Sequence, residues 1–130
     1  MIIYTSTKSE FRKDVRENRI EKLILESYKR NLGHSTSNSE IKSWKNSMMY
    51  MSNILDDRGI PESAGIAIEY KIPQTSKCID VILTGQNDQQ KNTAVIVELK
   101  QWSDAKLTER DGIVKTFIGG AEREANHPSY

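Results

Sequence analysis

Three residues near the middle of the chain, Asp80, Glu98 and Lys100, have the types and spacing that a metal site needs. Asp80 interrupts the apolar segment 77–84, where a carboxylate is costly unless another charge compensates it. Glu98 and Lys100 stand two residues apart in a second apolar segment, so a strand would place both on one face. Two carboxylates can bind a hard divalent cation, and an adjacent ammonium can position or deprotonate an attacking water.

The connection between these two segments predicts how they pair. Residues 85–93 are rich in Gly, Asn, Asp and Gln, as in the turn of a β-hairpin. A turn centred near Gln89 places Asp80 directly opposite Glu98. Like charges in that position destabilise a bare hairpin, so the pairing favours shared ligation of one Mg²⁺ or Mn²⁺.

Glu69 is a candidate third carboxylate. A turn over residues 72–77 would place it opposite Asp80 on the same face. Structural alternatives stay open for all of these residues. Asp80 is then a salt-bridged or edge-strand aspartate, Glu98 and Lys100 belong to a solvated face, and Glu69 faces solvent from an alternating strand.

An Asp on one strand followed by Glu-x-Lys on the next resembles the PD-(D/E)XK nuclease superfamily, which has the restriction-endonuclease-like fold. Ile79 replaces the proline that the family carries before its first acidic residue. Longer blocks are similar to the N-terminal nuclease-like domain of bacterial proteins that continue into a superfamily-one, schlafen-like helicase. These blocks, spread over essentially the whole chain, are Met1–Tyr4, Ser39–Trp44, Ile68–Lys77, Glu98–Ser103 and Asp111–Phe117.

The resemblance implies a nuclease that hydrolyses phosphodiester bonds, with DNA favoured over RNA as substrate and with Mg²⁺ or Mn²⁺ as cofactor. Asp80 and Glu98 would hold the metal and Lys100 would assist the attack. Related nucleases often add an acid from the first core helix, which makes Glu40 a further candidate ligand. The alternative for Glu40 is a capping box with Ser37. A non-catalytic module for nucleic-acid binding or assembly is the alternative function, and a C-terminal helicase module is the implied partner in longer relatives.

The chain is expected to form a single domain of the α/β (α+β) class over residues 1–130. Residues 1–36 are predicted to be an N-terminal helical extension, and 37–130 a restriction-endonuclease-like core. Capping boxes open helices after Thr7 and Ser37, and a further helix runs from about residue 19 to a stop at Gly33. Residues 2–4 are assigned either to a short strand or to an anchoring segment.

Three strands near residues 65–72, 78–84 and 93–100 are expected to form an antiparallel meander within a mixed sheet. Residues 103–106 are predicted to be helical or looped, and residues 112–118 a short strand or loop. The family would continue beyond Tyr130 into a helix and a strand, so the core is expected to be incomplete. Part of its apolar face should then be exposed unless a partner, including a second copy, covers it. That face comprises Val81, Leu83, Val95 and Val97.

Composition sets wider bounds. The net charge of +1 over 130 residues gives no global signal for nucleic acid. Residues 1–50 hold ten Lys and Arg against six Asp and Glu, a surplus that could contact phosphates or form salt-bridged helix faces. The single cysteine, Cys78, excludes an internal disulfide and a cysteine-based zinc site. No apolar run approaches membrane-spanning length, so a cytoplasmic protein without membrane contact is expected.

Overall fold

The computed structural model describes residues 1–71, 78–99, 105–118 and 121–126, and has an α+β architecture. The chain divides into two compact units, Met1–Leu99 and Lys100–Tyr130. The first unit contains β1 (Ile2–Thr7), α1 (Lys8–Arg16), α2 (Ile20–Leu32), α3 (Asn38–Ile54), β2 (Gly65–Lys71), β3 (Cys78–Gln86) and β4 (Asn92–Glu98). The second contains β5 (Ala105–Leu107), β6 (Ile113–Ile118) and β7 (Ala121–Asn126).

The helix boundaries follow from local side-chain chemistry. The hydroxyl groups of Thr7 and Ser37 accept hydrogen bonds from the backbone N–H groups three residues later, which caps α1 and α3. Gly33 ends α2 in the left-handed conformation, with φ of 73°, where a glycine avoids the strain of a side chain. The two predicted N-cap residues and the helix stop are therefore confirmed.

The core of the first unit lies between the three helices and one face of the four-stranded sheet. We call this the core face; it carries Ile66, Ile68, Tyr70 and Val81. The helices contribute one buried stripe each at helical spacing, including Phe11 from α1, Ile24 from α2 and Met48 from α3. Residues 1–36 thus supply an edge strand and two core helices, which is more than the expected helical extension.

The sheet has the strand order β1-β2-β3-β4, and each neighbouring pair is antiparallel. The predicted meander is confirmed, including its register. Thr84 lies opposite Ala94, and Ile82 opposite Ile96. The turn is held by Asn87, whose side-chain Oδ1 accepts from the backbone N–H groups of Gln89 and Lys91, each at 3.0 Å. This Asx-type turn explains why the polar connection fixes the register.

The second unit is a three-stranded antiparallel sheet of order β5-β6-β7. Val114 and Thr116 are buried on β6. Ion pairs link its polar positions: Lys106 with Glu122 at 3.2 Å, and Arg110 with Glu124. A strand at 113–118 agrees with one of the two predicted alternatives.

Two expectations are wrong: that the sheet is mixed, and that residues 105 and 106 are helical or looped. A mixed sheet requires a parallel pair, whereas all pairs among the described strands are antiparallel. Ala105 and Lys106 belong to strand β5 rather than to a helix or loop, because β6 provides a pairing partner that local propensity does not reveal. Within the described residues, no helix is both long and apolar enough to cross a membrane.

Candidate functional site

Three carboxylates form a line across three neighbouring strands, near one end of the four-stranded sheet. Glu69 on β2 lies opposite Asp80 on β3, and Asp80 lies opposite Glu98 on β4. We call Glu69, Asp80 and Glu98 the acidic row. Its neighbours in sequence, Ile68 and Val81, point into the core, so strand alternation places the row on the opposite face of the sheet.

The pairing between Asp80 and Glu98 is of the close type. The N–H of Asn87 donates to the carbonyl of Lys91 at 3.0 Å, which sets the alternation along the hairpin. Every second pair from there, including Val81 with Val97, is hydrogen-bonded. Asp80 and Glu98 form one of the intervening non-hydrogen-bonded pairs, in which opposing Cα atoms lie about 4.5 Å apart. Asp80 is 4 % exposed and Glu98 is exposed. One carboxylate is therefore held within the structure and its neighbour is open to solvent.

Glu69 has a compensating charge. The amino terminus of Met1 lies 3.5 Å from Glu69 Oε1, and also donates to the carbonyl of Tyr70 at 3.1 Å. Strand β1 brings this ammonium group to the end of the acidic row. A cation bound by Glu69 would therefore have to share the carboxylate with Met1.

Glu40 lies on the other side of the sheet from the acidic row. Its carboxylate interacts with the hydroxyl of Tyr70, a core-face residue, and accepts a hydrogen bond from Thr36. Burial raises the pKa of the Tyr70 hydroxyl, and the hydrogen bond with Tyr28 and the charge of Glu40 add to this effect. The N–H of Glu40 also donates to Ser37 Oγ at 3.3 Å. Ser37 is thus the N-cap that the capping-box interpretation expects, while the Glu40 carboxylate is engaged by Thr36 and Tyr70, away from the acidic row.

Lys100, the predicted catalytic lysine, lies outside the described residues, as does the turn over 72–77. Within the described ranges, no three His, Cys, Asp or Glu side chains converge into a group that could hold a metal ion. The acidic row is extended rather than convergent, so any ion bound there would take its protein ligands from two neighbouring carboxylates. Such a donor set fits Mg²⁺, which retains several waters and commonly uses one or two carboxylates.

The first residue that sequence reasoning missed is Lys8. It is 1 % exposed, and its ammonium group donates to the carbonyls of Asp57 at 2.9 Å and Ile60 at 2.7 Å. Glu62 adds an ion pair at 3.3 Å. Lys8 thereby fixes the connection between α3 and β2 to the start of α1. A lysine after a helix cap predicts a surface position, so no local signal marks this role.

The second missed feature is a cavity of about 610 Å³ between β1 and the helices α1 and α2. On its wall, Asp14 accepts from the hydroxyl of Tyr4 at 2.8 Å and from the guanidinium of Arg19. Burial raises the pKa of the Tyr4 hydroxyl above its ordinary value, and the negative charge of Asp14 acts in the same direction. The cavity lies on the helix side of the sheet edge, away from the pair Asp80 and Glu98.

Several basic residues of the N-terminal half form ion pairs. Arg12 pairs with Asp56, Arg19 with Asp14 and Glu17, and Lys45 with Glu21 at 3.5 Å. These contacts agree with the salt-bridged interpretation of the basic surplus.

Comparison with family models, with curated proteins and with solved structures gives no match for this chain.

Proposed function

We propose that the chain is a metal-dependent nuclease domain that hydrolyses phosphodiester bonds, with DNA as the favoured substrate. The observation that carries the proposal is the direct pairing of Asp80 with Glu98 on adjacent strands. Directly opposed carboxylates repel each other, and a shared divalent cation would offset that repulsion. The resemblance to PD-(D/E)XK nucleases suggests the reaction, and the opposed positions of Asp80 and Glu98 support a shared metal ligand role for them.

Asp80 and Glu98 would hold Mg²⁺ or Mn²⁺ from the face opposite the helices. A bound divalent ion would lower the pKa of water and stabilise the negative charge that develops on the phosphate. Burial of Asp80 restricts its side chain, whereas the exposed Glu98 leaves the site accessible to a polymeric substrate. Lys100, two residues after Glu98 in sequence, would position the attacking water or stabilise the charge on the phosphate oxygens.

A cleavage assay tests the proposal. Single-stranded and duplex DNA, with RNA for comparison, are incubated with the chain in Mg²⁺ or Mn²⁺, and in parallel with a chelator. We expect cleavage that requires the divalent ion and is lost in Asp80→Asn. Lys100→Ala should lose cleavage while retaining binding of the ion, because the ammonium acts mainly in the transition state. Lys91→Ala, at an exposed position of the β3–β4 connection, is the matched control and should cleave normally.

A non-catalytic assembly module is the second candidate, and exposed apolar side chains on β4 favour it. The same assay separates the two functions. Intact DNA in the presence of either ion, together with normal folding of the chain, would count against the nuclease and leave the assembly module.

A further inference from the structure

Among the described strands, β4 forms one edge of the four-stranded sheet, and it exposes apolar side chains on both of its faces. Val95 is 56 % exposed and Ile96 is 65 % exposed. Because neighbouring residues of a strand point in opposite directions, these two side chains flank the free edge from both sides. Proteins normally protect such edges with lysine, proline or a β-bulge.

β4 has none of these protective features. Its sequence from Asn92 to Glu98 contains no lysine and no proline, and its register with β3 is uninterrupted. The opposite edge of the sheet differs. There β1 has a shift of register between Ile2 and Tyr4, and it packs against α1 and α2. The β4 edge is therefore the one that is suited to pairing with another strand.

The hydrogen-bond alternation identifies which backbone groups point toward this edge. The Asn87–Lys91 bond implies that Thr93, Val95 and Val97 bond to β3 through their backbone groups. The backbone N–H and C=O groups of the alternate residues then point away from β3, toward the outer edge of the sheet. These residues are Asn92, Ala94, Ile96 and Glu98.

We propose that β4 pairs antiparallel with β4 of a second copy of this chain, about a two-fold axis at Val95. This register aligns the seven residues of the strand with their counterparts, and at its centre the backbone groups of Ala94 bond those of the partner's Ile96. It places Val95 opposite the partner's Val95, in the non-hydrogen-bonded type of pair whose side chains approach most closely. The inference does not depend on the proposed nuclease chemistry.

Side-chain complementarity favours a second copy as the occupant. Glu98 is the only charged residue of β4, and the register places it opposite the partner's Asn92 rather than opposite another carboxylate. Ile96 packs beside the partner's Ala94, where a small side chain leaves space for the larger one. Because β4 is apolar at its centre and charged at one end, two copies of it can pair antiparallel without placing like charges opposite each other.

Sedimentation velocity over a wide range of protein concentrations tests the association. We expect a monomer–dimer equilibrium that Val95→Lys shifts to monomer, since lysine on an edge strand opposes pairing. Ile54→Lys is the matched control, because Ile54 at the end of α3 is also 56 % exposed and apolar. It should leave the dimer intact. Circular dichroism of each variant checks that the fold is retained.

Cysteine cross-linking tests the register in a Cys78→Ala background. Val95→Cys should give a disulfide-linked dimer under mild oxidation, because the two side chains face each other across the axis. Ile96→Cys should not give this disulfide, because Ile96 lies diagonal to the partner's Ile96. Diagonal neighbours are about 7–8 Å apart, beyond the reach of an unstrained disulfide.

Three results would overturn the proposal. They are a monomer at all concentrations, a dimer that Val95→Lys leaves unchanged, and cross-linking of Ile96→Cys in preference to Val95→Cys. A dimer that is lost in Val95→Lys and cross-linked through Val95→Cys would establish it.

Discussion

Lys8 connects sequence to stability at the level of a single residue. Its buried ammonium group satisfies two backbone carbonyls in the segment after α3. We expect Lys8→Met to lower the free energy of unfolding by about 1–3 kcal/mol, because methionine fills a similar volume but leaves both carbonyls without this donor. Urea denaturation measures the loss. Lys22→Met, at an exposed position of α2, is the control and should change stability by less than about 0.5 kcal/mol.

Tyr4 gives the structure a dependence on alkaline pH. The pKa of its hydroxyl is raised in the folded state above the ordinary value of 10.0. A raised pKa means that the folded state retains the proton more strongly, so this contribution to stability is present below pH 10.0 and is lost as the pH rises above it.

Tyr4→Phe should therefore make the fall in unfolding free energy above pH 10.0 less steep. It should also cost about 1 kcal/mol at neutral pH, where the hydrogen bond to Asp14 is lost. Tyr50→Phe is the control, since Tyr50 is 62 % exposed, and its pH profile should match that of the wild type. An equally steep fall in unfolding free energy at alkaline pH for the wild type and Tyr4→Phe would contradict this prediction.

At the level of elements, close packing between β2 and β3 depends on Gly65. A Cβ atom at Gly65 would meet the side-chain hydroxyl of Thr84, which lies directly opposite. We expect Gly65→Ala to lower the melting temperature, and Thr84→Ala to recover much of the loss when the two changes are combined. Additive losses in the double mutant would show that the two positions do not interact.

The strands of the first unit differ in how far their sequences predict them. The β3–β4 register could be predicted because alternating apolar residues and a polar turn both constrain it. Glu69 could be placed opposite Asp80 for the same reason. β1 was ambiguous from sequence, since its six residues contain no turn signal and its partner β2 begins at Gly65, far along the chain.

Strand β7 could not be predicted at all. Its sequence from Ala121 to Asn126 is dominated by alanine and charged residues, which are depleted in strands. Pairing with β6 and the ion pairs of Glu122 and Glu124 stabilise it instead. The burial of Lys8 was missed for a related reason, because both depend on contacts with distant segments rather than on local pattern.

For the whole molecule, the arrangement of the sheet decides what the candidate site can be. One face is covered by the three helices, and the acidic row lies on the other. The metal ligands predicted from the sequence thus lie on two different faces of the sheet. Asp80, Glu98 and Glu69 share a face, whereas Glu40 is engaged with Tyr70 on the core face. The nuclease proposal therefore depends on Asp80 and Glu98.

The central claim is that Asp80 and Glu98 bind a divalent metal ion, and scanning calorimetry with Mg²⁺ and Mn²⁺ tests it most directly. Binding to the folded state alone would add about 2.7 kcal/mol of stability at a free ion concentration a hundredfold above Kd. We expect the melting temperature of the wild type to rise with the ion, and most of that rise to disappear in Asp80→Asn. Asp88→Asn, in the exposed β3–β4 connection, should respond like the wild type. Equal stabilisation of the wild type and Asp80→Asn by the ion would contradict the claim.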